Sequence, residues 1–175
     1  KALEFLKKTA SQGETILLVG TKKQAKEIVA RIALEVGVPY VTQRWLGGTL
    51  TNFEQIRKSV KNMIKMREER VSGEYRDLTK KERLLIDRKI ERMEYFFSGV
   101  EMMEKLPEVI FILDTHREYA AVSEARKTDV TIVGVVDTNS DPTLGDWPIP
   151  ANDDSAKAVE FIVKLVGKAI KEGKG

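Results

Sequence analysis

Cysteine is absent from the 175 residues. That removes disulfides, thiol nucleophiles and thiolate metal sites, and fits a reducing cytosol without specifying one. Histidine occurs once, at His116, which rules out His-rich metal spacing; its nearness to Asp114 allows an acid–base role to be drawn, but no Ser/His/Asp set with a recognisable nucleophile motif accompanies it. No apolar run approaches the roughly 20 residues of a membrane-spanning helix. Nothing near the first residue reads as a signal peptide. The chain opens at Lys1 inside a helical pattern and is read as a fragment whose natural N-terminus lies upstream. An excess of one charge sign is also missing. The formal charge is +3 and the pI about 9.0, which permits contact with a polyanion without requiring it.

What is present is enough apolar residue for a core, 42%, and a charged fraction of 33%, above the usual quarter. The surplus charge implies an unusually solvated part. The length suits one domain with room for an insertion.

The pattern begins as helix, strand, helix, strand. Ala2 to Thr9 reads as an amphipathic helix. Thr15 to Gly20 is a short continuous apolar run, as expected of a strand buried on both faces. Thr21 is a candidate cap for a helix carrying Ile28, Ile32, Leu34 and Val36 and ending at Gly37. Pro39 to Thr42 is a second strand. After Pro107 the rhythm resumes: strand 109–113, helix 119–127, strand 130–136, a very short strand at Ile149, and a closing helix opened by Asp153 or Asp154. Its Ala158, Phe161, Ile162, Leu165, Val166 and Ile170 are expected to face the core. Alternating strands and helices predict an α/β fold with a doubly wound, mostly parallel sheet.

The middle differs. Residues 54–95 hold 13 basic and 9 acidic side chains. Phe53, Ile56, Val60 and Met63 form one narrow apolar stripe, and Ile86, Ile90, Met93, Phe97 and Val100 another, the seam of an antiparallel coiled-coil hairpin. Ser72-Gly73 breaks the first arm, and Thr79-Lys80-Lys81-Glu82 is a capping box for the second. The division expected is an α/β domain from 1–53 and 104–175, interrupted by a helical hairpin at 54–103.

In such a sheet, binding loops gather at the C-terminal ends of the strands. Lys22 and Lys23 follow Gly20-Thr21, without the second glycine or the Gly-Lys-Ser/Thr ending of a nucleotide loop. They are candidate contacts to an RNA phosphate at a helix start, or part of a solvated turn. Arg44 is a candidate phosphate contact. Trp45 is a candidate for base stacking, although tryptophan more often packs beneath its loop. Arg57, Lys58, Lys61 and Lys65 follow one another without an intervening acid, a candidate phosphate-binding stretch. The charges of the second arm read as solvated helix pairs. Asp137-x-Asn139-x-Asp141 starts like a calcium loop, but Pro142 stands where glycine is required. His116 reads as a surface loop residue.

Several segments taken together resemble the bacterial-type small-subunit ribosomal protein number two family. They are Gly20-Thr21-Lys22-Lys23-Gln24-Ala25, Gln43-Arg44-Trp45-Leu46-Gly47-Gly48-Thr49-Leu50-Thr51-Asn52-Phe53, Glu124-Ala125-Arg126-Lys127, Val136-Asp137-Thr138-Asn139-Ser140-Asp141-Pro142 and Pro148-Ile149-Pro150-Ala151-Asn152-Asp153-Asp154. The resemblance covers essentially the whole chain. It implies a flavodoxin-like domain with a protruding coiled-coil hairpin, and a structural, non-enzymatic role on the small ribosomal subunit in the cytoplasm or an organelle. The partners it implies are small-subunit rRNA and other ribosomal proteins, including the large mRNA-binding protein number one. In some members a histidine of a preceding Gly-Val-His-Phe-Gly-His-like segment joins acids matching Asp137, Asp153 and Asp154 to hold zinc. That histidine has no counterpart here, so no cofactor is expected of this chain, while Asp137, Asp153 and Asp154 stay candidate ligands for a zinc in the full-length protein. Lys127-Thr128-Asp129-Val130-Thr131 departs from the family's usual run, and the chain ends soon after its last helix.

Overall fold

The computed structural model describes residues 1–138, 141–152 and 154–175. The chain runs α1 (Ala2–Ser11), β1 (Ile16–Val19), α2 (Lys26–Val36), β2 (Tyr40–Val41), α3 (Phe53–Ser72), α4 (Lys80–Phe97), β3 (Val109–Ile112), α5 (Tyr119–Lys127), β4 (Thr131–Val136), β5 (Trp147–Pro150) and α6 (Ala156–Lys174). Single tight turns of helix occupy Ser98–Val100 and Pro142–Leu144.

Runs without charge become the central strands because both of their faces are covered. Every residue of β1 and β3 is buried. The strands pair in parallel in the order β2-β1-β3-β4-β5, the flavodoxin-like arrangement. Leu18 lies opposite Phe111, and Phe111 opposite Val133. Alternation along the strands divides the core in two. Ile16, Leu18, Phe111, Val133 and Val135 meet α1, α2 and α6 on one face. Leu17, Val19, Ile110, Ile112 and Ile132 meet α5, Trp45, Leu50 and the base of α3 at Val60 on the other.

Two expected core positions are on the surface instead. Leu34 is 65% exposed and Phe161 64%. In α2 the inward positions are Ile28, Val29, Ile32, Ala33 and Val36, and in α6 Val159, Ile162, Val163, Val166 and Ile170. Leu34 and Phe161 fall outside those arcs. The caps differ too. Thr21 does not cap α2, which starts at Lys26 with no side-chain cap. Ser155, not Asp154, caps α6 by accepting from the Ala158 N–H. Asp153 lies outside the described residues, as do Asn139 and Ser140 of the 137–141 run.

The α3–α4 connection forms as its sequence dictates. Gly73 ends α3 at φ 85°, a left-handed geometry that favours glycine. The Thr79 hydroxyl accepts from the Glu82 N–H, and the Glu82 carboxylate receives the Thr79 N–H at 2.9 Å. Arg70 pairs with Asp87 and Arg67 with Glu94. Numbers fall on one helix as they rise on the other, so the two run antiparallel. Met63, Met66 and Ile90 are buried. At 1.5 Å per residue, each helix is roughly 30 Å long.

Candidate nucleic-acid interface

The 43–52 loop follows β2 at the C-terminal edge of the sheet, and one carboxylate organises it. Glu124, on the inward face of α5, is 8% exposed. Its Oε1 accepts from the Trp45 indole N–H at 3.0 Å and the Gly48 N–H at 2.8 Å. Its Oε2 accepts from the Leu50 N–H at 3.0 Å, and from the Thr51 N–H and hydroxyl at 3.1 Å each. Burial pushes this carboxyl up, but the donors outweigh it and hold Glu124 below the usual glutamate range. Gly48 meets the carboxylate at φ 90°, where side chains are strained. Gly48 therefore lets the loop wrap its backbone amides around an internal anion.

This settles where two candidates stand. Trp45 is buried and spends its only polar group on Glu124, so the ring braces the loop from beneath. Arg44, its neighbour, is exposed and bonds to no described residue. The loop holds Arg44 outward on a rigid base.

A second polar cluster joins β1 to β3. The buried Glu118 carboxylate accepts from the Thr21 N–H at 3.2 Å and closely from the Thr21 hydroxyl. The Arg117 Nε donates to the same Thr21 oxygen at 3.1 Å. Lys22 Nζ lies 2.8 Å from Asp114 and 2.9 Å from Asp154. Lys22 thus ties β1, β3 and the start of α6 together, and its charge is met inside the protein. Lys23 beside it is exposed.

On α3, Arg57, Lys61 and Lys65 recur every fourth residue, with Lys58 adjacent. All four fall within about a third of the helix circumference. Only Lys65 has an ion pair among the described residues, to Glu69 at 3.5 Å. Glu54 and Glu68 bound the stripe at its two ends.

The candidate metal carboxylates do not assemble among the described residues. Asp154 pairs with Lys22, and the Asp137 carboxylate accepts the Thr138 N–H at 2.6 Å. No group of three histidine, cysteine, aspartate or glutamate side chains suited to a metal gathers among the described residues. His116 is exposed.

The family described as ribosomal protein S2 matches residues 1–173. The chain belongs to the ribosomal protein S2 family. Proteins named "Small ribosomal subunit protein uS2" are similar to it across nearly all of its length. The one from Nocardia farcinica is 43% identical over 99% of this chain and 61% of its own. Those of Mycobacteroides abscessus and Mycolicibacterium vanbaalenii are also 43% identical, covering 62% and 63% of their own lengths. The chain thus spans about three fifths of these relatives. Within this ribosomal protein S2 domain, the two resembling runs 43–53 and 124–127 are partners in space, because Glu124 is the acceptor for the loop.

Sequence reasoning missed Glu124 and Glu118 as organisers. A signal existed: Ala121, Glu124 and Ala125 share the buried face of α5, so a carboxylate at that spacing has to find internal donors.

Proposed function

We propose that the chain is a non-catalytic part of the small ribosomal subunit that grips small-subunit rRNA through Arg44 and the α3 stripe. Family membership supports this, together with the name borne by the relatives. The observation that carries the RNA contact is the run Arg57, Lys58, Lys61 and Lys65, exposed or half-exposed, with one ion pair among the described residues. A preformed helix leaves no backbone to be ordered on binding, so a few cations suffice. Lys23 adds a further cation at the sheet edge. On the same reading the domain helps to seat the large mRNA-binding ribosomal protein number one, and it resides on the ribosome.

A nucleotide-dependent enzyme on the same fold would need free polar groups where the strands end. There Thr21, Lys22, Asp114, Glu118 and Glu124 bond one another or the backbone. A cavity of about 590 Å³ lies elsewhere, between α2 and α6, lined by Arg31, Ile32, Val36, Gly167 and neighbouring residues. Among the described residues no catalytic constellation favours that alternative.

The test is occupancy. Arg57→Glu with Lys61→Glu, introduced into the full-length protein, should leave its fold intact and lower its amount in salt-washed small subunits several-fold. Unchanged occupancy would reject the assignment of the stripe.

A further inference from the structure

We propose that the outward face of α4 docks an acidic amphipathic helix of another protein. Lys81, Leu84, Leu85, Arg88, Arg92 and Tyr95 recur at steps that keep them on one face of the helix. The opposite side, with Ile86, Ile90 and Met93, is the side occupied by α3. Leu84 is 49% exposed, Leu85 56% and Tyr95 54%. Three large apolar side chains in one stripe are costly to leave in water.

The cations of this face are uncommitted. Lys81, Arg88, Lys89 and Arg92 form no ion pair with any described residue, whereas the α4 acids Asp87 and Glu94 turn towards Arg70 and Arg67 of α3. The expectation that this arm's charges satisfy one another is therefore not met: Asp87 and Glu94 pair with α3, Glu82 closes the helix cap, exposed Glu91 pairs with no described residue, and these cations point away.

Comparison with α3 decides the occupant. The α3 stripe is cationic with no exposed large apolar residue between Arg57 and Lys65, which suits phosphates. The α4 face interleaves leucines with arginines. Leucine gains nothing from a phosphate backbone, but it packs against the apolar seam of a helix, and flanking arginines complement that helix's carboxylates. The two arms thus take different partners, RNA on α3 and protein on α4.

The test rests on the reading of the chain as a subunit protein. A photoreactive benzoylphenylalanine replaces Leu85 in the full-length protein, small subunits are isolated and irradiated, and the adducts are mapped. The expected adduct is to another protein, at a segment with apolar residues at three-four spacing and flanking Asp or Glu. Arg88→Glu with Arg92→Glu should lower its yield at least tenfold without changing the protein's amount in subunits. A second site at Tyr95 should capture the same segment. Adducts to RNA, to a second copy of this chain or to a segment lacking acids would overturn the proposal, as would no adduct or a yield unmoved by charge reversal. Absence of the unsubstituted protein from subunits would instead defeat the underlying reading. The same irradiation in whole cells then decides, and no acidic-helix adduct there overturns the proposal as well.

Discussion

Replacing Glu124 by glutamine changes one oxygen to an amide nitrogen and removes a charge, with almost no change in volume. The remaining oxygen is best kept on the side that accepts three hydrogen bonds, from Leu50 and Thr51. The new NH₂ then faces the Trp45 indole N–H and the Gly48 N–H, donor against donor. A buried donor left without an acceptor costs about 1–3 kcal/mol, so two cost roughly 2–6 kcal/mol, with the lower end applying if water reaches Gly48. That is a large part of a domain stability of about 5–15 kcal/mol. The sign with pH follows from the direction of the shift. Glu124 titrates below its ordinary range in the fold, so its contribution is full above the unfolded value, about 4.3. It is lost as pH falls through the folded one. Urea unfolding of wild type and Glu124→Gln should therefore differ by about 2–6 kcal/mol near neutrality, and the gap should narrow in acid below the usual glutamate range. Hydrogen exchange at Gly48, Leu50 and Thr51 should accelerate selectively. A neutral-pH gap under about 0.5 kcal/mol, or one that acid leaves unchanged, would refute the argument that this anion holds the loop.

Other substitutions probe other parts of the account. Gly99→Ala places a Cβ against the Tyr40 carbonyl oxygen, a backbone atom that cannot swing aside. It should destabilise by about 1–3 kcal/mol in the same urea assay. Thr79→Ala removes the cap of α4 and should cost about 1 kcal/mol, visible as a lower melting temperature with the sheet core unchanged. Lys22→Ala breaks the tie between Asp114 and Asp154. It should lower stability more than it lowers rRNA affinity, because that charge is already met internally. Arg44→Ala should do the reverse, weakening rRNA binding with the melting temperature unmoved.

Much of the fold is legible in the sequence because its signals are local. Uncharged runs become β1, β3 and β4. Thr79 to Glu82 close a capping box, and Gly73 ends α3 where Ser72-Gly73 announces a break. Errors arise where a helix's rotation is set by its neighbours. Leu34 and Phe161 are apolar, yet α2 and α6 turn other residues inward. The site is less legible. Arg57 to Lys65 can be read as a surface stripe from spacing alone. The partition of Arg44 and Trp45, one outward and one inward, depends on Glu124, which lies 79 residues from Trp45 in the chain. Lys22 and Lys23 are adjacent and chemically alike, but only Lys22 reaches Asp114 and Asp154. No neighbourhood in the sequence reports that difference. The α4 face has the same origin: α3 takes Asp87 and Glu94, and Lys81, Arg88 and Arg92 pair with no described residue.

The most direct measurement is the affinity of the full-length protein for a small-subunit rRNA fragment as monovalent salt is raised. With Arg44 and three or four cations of α3 on phosphates, log affinity should fall against log salt with a slope of about −3 to −4. Reversing Arg57 and Lys61 should flatten that slope by about 2. Binding that salt leaves unchanged, or a slope that those two reversals do not move, would contradict the claim that this face of the molecule holds RNA by its phosphates.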